Sequence, residues 1–340
     1  MAIRVKALET RRCLELISLF SARTVLLVGD MVADEFIFGE ISRVSREAPV
    51  LILKHRQTQI VPGGGANAAY NLADLGARVI PVGVVGNDPG GRALLECFGS
   101  RGVDTRHIAV APEFPTVTKS RILAGTIHGP RQQVLRIDRE PPEPVSRARR
   151  AGIERRALRL ARRADAILIS DYGYGAVTPA MAQALRAAAR PAAPVTLDSR
   201  YDLIQYSGLT AATPNEPELE AAFHVRIGAN TRKLEEAARR MLRKMRLRAL
   251  LVTRGRDGMA LFEPGKRPRY VPIWGSDQVT DVTGAGDTVI AVFTLALAAG
   301  ATFEEAARLS NFAGGIVVTK RGTATVTRKE LRQAVENAAP

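Results

Sequence analysis

From about residue 24 onward, short apolar runs alternate with stretches of amphipathic, helix-like spacing. The runs are TVLLVGD at 24–30, a Val-rich segment at 77–86, AILIS at 166–170, VTLD at 195–198 and ALLVT at 249–253. Each is rich in Val, Ile or Leu and ends in Gly, Asp, Ser or Thr. This alternation predicts an α/β fold, a mainly parallel central sheet flanked by helices. In open sheets of this kind ligands bind beyond the carboxyl ends of the strands, so Asp30, Asp171, Asp198 and Thr253 are expected along one crevice.

Residues 36–59 and 116–138 break the rhythm. In the second, TVTKSRILAG and RQQVLRID read as strands around a GTIHGPR turn, and the two segments together predict a small antiparallel β flap added to the main sheet. No internal repeat, low-complexity tract or long linker divides the chain, so residues 1–340 are expected to form one domain with this flap.

The 340 residues carry a net charge of +15, which brings nucleic-acid binding into view. Its distribution argues otherwise. The densest basic stretch, SRARRAGIERRALRLARR at 146–163, spaces Arg against Ala, Leu and Ile as a surface helix with a solvated face does, and it holds no aromatic residue to stack on bases. No nucleic-acid partner is expected, although the positive field suits anionic substrates. Cys13 and Cys97 are too few for a disulfide framework or a Cys-rich zinc site and suit a reducing, cytoplasmic compartment. The first twenty residues show neither an apolar core nor a cleavage site of a signal peptide, and the longest apolar run, 288–299, is too short to span a bilayer, so no membrane association is expected.

The sharpest chemical motif is DVTGAGDT at 281–288, which feeds directly into that apolar run. A glycine turn opening a buried helix aims free N–H groups and the positive end of the helix dipole at one point, which suits an anion. Gly284, Ala285 and Gly286 would then hold a transferring phosphoryl group while Asp287 takes a proton. The motif alone also reads as a tight turn with Asp287 as helix N-cap. Three further motifs accompany it. PGGGANAA at 62–69 lets a ligand approach the backbone beside Asn67. TPNEPE at 213–218 is a helix start with acidic residues near its positive end, and Asn215 and Glu218 could also orient hydrated Mg²⁺. TRGRDG at 253–258 is either a hairpin turn or a contact to nucleotide phosphate. No GxxxxGK[ST] loop and no protein-kinase HRD motif occurs, and Gly29 is followed at once by Asp30 where a dinucleotide-binding GxGxxG would begin.

In this order and spacing, GGGAN, TPNEPE and DVTGAGDT resemble the ribokinase-type carbohydrate kinases over about residues 24–330. GDMVAD at 29–34 and FGEISRVSREAPV at 38–50 are similar to the branch that phosphorylates the 1-hydroxyl of D-glycero-β-D-manno-heptose 7-phosphate on the route to ADP-heptose and lipopolysaccharide. SDYGYGAVT at 170–178, QQVLRID at 132–138, LLVTRGRDGM at 250–259 and RGTATVT at 321–327 continue the likeness. Where that branch carries an Asp-Pro-Lys sequence, this chain reads Asp198-Ser199-Arg200.

The resemblance implies an ATP-dependent sugar kinase with Asp287 as base and Gly284, Ala285 and Gly286 as anion hole. It implies that Asp30, Gly64, Gly65 and Asn67 hold sugar hydroxyls, with Asp34 and Asp171 also on the substrate side. Asn215 and Glu218 would assist Mg²⁺, Glu218 through water, and Thr253, Gly255, Gly258 and Asn311 would line ATP. A monovalent cation near the 281–327 loops belongs to the same expectation. A phosphorylated sugar needs a cationic grip, for which Lys119, Arg121 and Arg136 on the flap, with Arg43 and Arg46, are the candidates. Members of this family use such a flap as a lid and as a homodimer interface. Competing expectations are a kinase for fructose, ribose or a nucleoside, and a nucleic-acid-binding or regulatory protein on a kinase scaffold.

Overall fold

The computed structural model describes residues 2–125, 131–275 and 281–338, with side chains from residue 9 onward. In chain order the strands are β1 (Thr24–Gly29), β2 (Met31–Val44), β3 (Leu51–Gly63), β4 (Arg78–Val85), β5 (Ile108–Val110), β6 (Val117–Gly125), β7 (Gln132–Arg139), β8 (Ala166–Asp171), β9 (Val195–Ser199), β10 (Ala211–Ala212), β11 (Ala249–Thr253), β12 (Met259–Phe262) and β13 (Arg269–Val271). The helices are α1 (Ala2–Ser18), α2 (Gly64–Asp74), α3 (Pro89–Ser100), α4 (Arg147–Ala161), α5 (Pro179–Ala188), α6 (Glu216–Phe223), α7 (Thr231–Lys244), α8 (Ala285–Ala298), α9 (Phe303–Val317) and α10 (Arg328–Asn337).

The five apolar runs are β1, β4, β8, β9 and β11, and they lie within a nine-stranded sheet of order β13-β12-β11-β10-β9-β8-β1-β4-β5. Pairing is parallel from β11 to β5 and antiparallel between β11 and β12 and between β12 and β13, so β12 alone runs against the other strands. Successive side chains of a strand point to opposite faces. Val25 and Leu27 accordingly pack with Leu16, Leu72, Phe98, Phe293, Leu309 and Leu331 from α1, α2, α3, α8, α9 and α10. Leu26 and Val28 pack on the other face with Ile153, Leu185, Leu219 and Leu234 from α4 to α7. The Arg-rich stretch contains α4, which buries Ile153, Ala157 and Ala161 and none of its arginines. Among the described residues no helix is long and apolar enough to cross a membrane.

The chain leaves β1 for β4 on one side and for β8 on the other, so the strand order reverses between β1 and β8, where parallel sheets open a crevice. Only Asp30 separates β1 from β2, and β2 carries the chain out of the large sheet into a second one of order β3-β2-β6-β7. This is the expected flap, its turn at residues 126–130 lying outside the described residues. Its outer pairs are antiparallel while β2 and β6 are parallel. The reason is connectivity: the chain reaches β6 only after α2, β4, α3 and β5, and climbs from the large sheet in the same direction as β2. The face carrying Asp34, Lys119 and Arg121 is turned to the crevice, and every residue of β7 is exposed.

Candidate active site

Asp287 lies in the first turn of α8 and is almost wholly buried. The helix N-cap is Gly284, in the left-handed region at φ 77°, and a Cβ there would come within 2.6 Å of the Asn67 amide nitrogen. The motif therefore needs glycine for two separate reasons, and Asp287 is not the cap. Ala285 does not serve the expected anion hole, because its N–H closes the turn on the Val282 carbonyl at 3.2 Å. Gly284 and Gly286 line the cavity in front of Asp287.

The Asp287 carboxylate accepts hydrogen bonds from the Tyr172 hydroxyl at 2.7 Å and the Asn67 Nδ2 at 2.9 Å. Burial pushes its pKa up to about 7 against the pull of these two donors, with Asp34 adding to the rise and Arg200 opposing it. A carboxylate poised near neutrality is what a general base requires. Asn67 is thus a correction to the expected sugar contact. Its Nδ2 donates to Asp287 and to the Gly284 carbonyl, its Oδ1 accepts from Asn71, and the side chain holds the Asp287 carboxylate in place.

The cavity has a volume of about 280 Å³. Asp34, Gly64, Lys119 and Arg121 line its lid side. The Asp34 carboxylate bridges the Arg121 guanidinium at 2.5 Å and the Thr323 hydroxyl at 2.6 Å. Lys119 lies 3.5 Å from Asp138 and 3.4 Å from the Tyr174 hydroxyl.

Four expected substrate contacts fall elsewhere. Asp30 accepts from the backbone N–H groups of Tyr172, Tyr174 and Ala176, at 2.8, 3.2 and 3.1 Å, and so shapes the loop after β8. Burial and the neighbouring Asp171 push its pKa up to about 6. Asp171 accepts from Gly173 N–H, the Ser199 hydroxyl and the Tyr206 hydroxyl, tying β8 to β9. Gly65 packs against the Asp30 carbonyl, where a Cβ would approach to 2.7 Å. Arg136 pairs with Asp138 at 2.8 Å and does not line the cavity. Arg43 and Arg46 are exposed at the far end of the lid.

On the opposite wall Asn215 and Glu218 form a reciprocal capping box on α6. The Asn215 side chain accepts from Glu218 N–H at 2.8 Å, and one Glu218 oxygen accepts from Asn215 N–H at 2.9 Å. The helix-start reading and the cavity-wall reading therefore both hold, since both residues also line the cavity. Tyr172 and Thr213 carried no expected role, and Asp198 and Arg200 entered only as a crevice residue and in the Asp198-Ser199-Arg200 departure, although all four line this space. The usable signal was positional: Tyr172 and Arg200 each follow the carboxyl end of a central strand. Burial first, then the charges of Glu218 and Asp287, drives the Asp198 pKa upward, and burial does the same for Glu218. The Thr213 hydroxyl is buried with no hydrogen-bond partner among the described residues.

A second cavity of about 550 Å³ is lined by Thr253, Gly255, Gly258 and Asn311. TRGRDG is indeed the turn of an antiparallel hairpin between β11 and β12, and Asn311 donates to the Pro272 carbonyl at 2.8 Å. Asn215, Thr253, Val282 and Gly286 line both cavities, which therefore meet at the N-terminus of α8.

Residues 23–330 match the pattern of the pfkB family carbohydrate kinases. The chain belongs to this family. Within the pfkB family it is 40% identical over 323 residues to the bifunctional protein HldE of Desulfatibacillum aliphaticivorans, covering 94% of this chain and 65% of that protein. It is 42% identical over 316 residues to HldE of Pelobacter propionicus, covering 91% and 62%. It thus spans a little under two thirds of the length of these relatives. The fold is shared with Arabidopsis thaliana ribokinase complexed with ribose and ATP, at TM-score 0.72 and 23% identity over 92% of this chain and 99% of that one. It is also shared with Escherichia coli phosphofructokinase-2 in complex with substrates and products, at TM-score 0.75 and 19% identity over 94% and 100%.

Proposed function

We propose that this chain transfers the γ-phosphoryl group of ATP to a hydroxyl of a sugar that already carries a phosphate, and that D-glycero-β-D-manno-heptose 7-phosphate, accepting at its 1-hydroxyl, is the substrate supported best. The observation that carries the proposal is the meeting of two cavities at the N-terminus of α8, with a buried base at the junction. The lid-side cavity offers Asp34 as an acceptor for sugar hydroxyls and Lys119 and Arg121 as cations for an existing phosphate. A kinase for an unphosphorylated sugar has no need of that pair. The likeness to HldE adds support.

In this reading ATP lies along the second cavity, past Thr253, Gly255, Gly258 and Asn311, with its terminal phosphate at Gly284 and Gly286. Asp287, held by Tyr172 and Asn67, takes the proton of the attacking hydroxyl. Asp198, Glu218 and the unpartnered Thr213 hydroxyl form an oxygen donor set that fits hydrated Mg²⁺, Glu218 through the oxygen its capping box leaves free. When bound, the ion would neutralise phosphate charge. A closed lid would exclude water and so suppress ATP hydrolysis.

The same reading makes residues 1–340 one kinase domain, in a cytoplasmic setting that keeps Cys13 and Cys97 as free thiols. It also makes the lid a homodimer interface, supported by the exposed apolar Leu51, Val134, Leu135 and Ile137 on the edge strands β3 and β7. The test is ATP-dependent product formation across a panel of sugars and sugar phosphates. Turnover confined to phosphorylated sugars, the heptose 7-phosphate foremost, supports the assignment, whereas turnover of unphosphorylated pentoses or hexoses alone overturns it.

A further inference from the structure

Three cations line the reaction cavity, Lys119, Arg121 and Arg200, and they are not equivalent. Arg121 is bound to Asp34, and Lys119 lies between Asp138 and Tyr174, so both are engaged on the lid side. Arg200 makes no ion pair with a carboxylate among the described residues; its side chain hydrogen-bonds to Tyr201, whose ring centroid lies 5.9 Å from the guanidinium. It follows directly on β9, and its backbone N–H is fixed to the Asp171 carbonyl at 3.0 Å. That places it on the wall with Asp198, Asn215, Glu218 and Thr253, where the nucleotide-side cavity joins the reaction cavity.

Charge makes this position consequential. Asp34, Asp198, Glu218 and Asp287 all line a cavity of about 280 Å³, into which phosphoryl transfer would bring further negative charge. That charge spreads over three equatorial oxygens of the group in flight, a pattern a planar guanidinium matches with paired N–H donors. We propose that Arg200 is a catalytic residue that binds the transferring phosphoryl group and stabilises the charge on its oxygens. The proposal rests on the phosphoryl-transfer reading above. In the step itself the sugar hydroxyl oxygen forms a bond to the γ-phosphorus while the bond from that phosphorus to the β–γ bridging oxygen breaks. The hydroxyl proton passes to Asp287, ADP leaves with the bond's electron pair, and Arg200 keeps its charge throughout.

The experiment compares wild type, Arg200→Gln and Arg200→Lys in steady-state kinetics with ATP and sugar phosphate over pH 5.5–9. Arg200→Gln is expected to lose about 10²–10³-fold in kcat, with the sugar-phosphate KM changed less than about threefold. Arg200→Lys is expected to recover part of that loss, since it restores the charge without the fork. A role confined to folding predicts neither split. The acid limb of kcat/KM is also expected to move to higher pH in Arg200→Gln. Asp287 then keeps its donors Tyr172 and Asn67 and the lid cations Lys119 and Arg121, but faces Asp34, Asp198 and Glu218 without the cation on their wall. Wild-type kcat in a folded Gln variant overturns the proposal, as does a loss confined to the ATP KM. If the Gln variant does not fold, a folded Arg200→Met variant with wild-type kcat and an unmoved acid limb overturns it instead. Absence of phosphoryl transfer by the wild type to every sugar and sugar phosphate would sink the kinase reading itself, a result separate from either of these.

Discussion

Asp287 is protonated more readily in this fold than in an unfolded chain, with a pKa pushed to about 7 by burial. As the proposed general base it would act in its ionised form, so kcat/KM is expected to rise with pH up to about 7 and then level. Asp287→Asn should lose about 10²–10⁴-fold in kcat. The linkage sign for stability is the opposite of the usual carboxylate case. A carboxyl whose pKa is raised by folding destabilises the fold once ionised, so the penalty is absent below about pH 4, grows towards pH 7 and persists above it. Asp287→Asn is therefore expected to melt higher than wild type at pH 8, by a few kcal/mol at most, and the advantage should vanish below pH 4. Tyr172→Phe removes a donor that stabilises the anion, so its acid limb should move upward and its activity should recover at pH 8 to 9. An unmoved limb would contradict the assigned contact. The sequence exposed Asp287 through its glycine-rich context, but hid its two donors. Asn67 looked like a ligand for sugar because a polar residue beside three glycines carries no mark of its partner, and that partner lies 220 positions away. Asp30 and Asp171 failed in the converse way, since carboxylates at strand ends serve loops as readily as substrates.

The elements were most legible where burial was most complete. β1, β4, β8, β9 and β11 are central strands with both faces covered, and such strands read as continuous apolar runs. β5, β10, β12 and β13 have only two to four residues each, too few to make a periodic signal. β2 begins at Met31, five residues before the flap was expected, because the chain passes between sheets across Asp30 without a turn. α6 shows how one motif carries two loads. Asn215→Ala breaks its capping box and is expected to cost about 1 kcal/mol of stability by thermal denaturation. Glu218→Gln should in addition raise the Mg²⁺ concentration needed for half-maximal activity. If Mg²⁺ dependence is untouched, Glu218 only caps the helix.

At the scale of the molecule, Asp287 sits where the two cavities meet, and the small sheet lines only the first of them, through Asp34, Lys119 and Arg121. The exposed edge strands β3 and β7 make the lid the expected dimer surface. Leu135→Asp on β7 should shift the protein to monomer in light scattering after size exclusion and leave the melting temperature nearly unchanged. A wild type that is monomeric at the same concentration would remove the lid from that role. The parallel pairing of β2 with β6 was not legible, because strand direction depends on the path between them and not on either strand's pattern. The measurement that bears most directly on the whole account is phosphorus NMR of the products formed from ATP and D-glycero-β-D-manno-heptose 7-phosphate, by wild type and by Asp287→Asn. The account predicts a new anomeric phosphate signal with stoichiometric ADP from wild type and almost none from the variant. No new signal from wild type while an unphosphorylated sugar is turned over, or equal signals from both proteins, would contradict it.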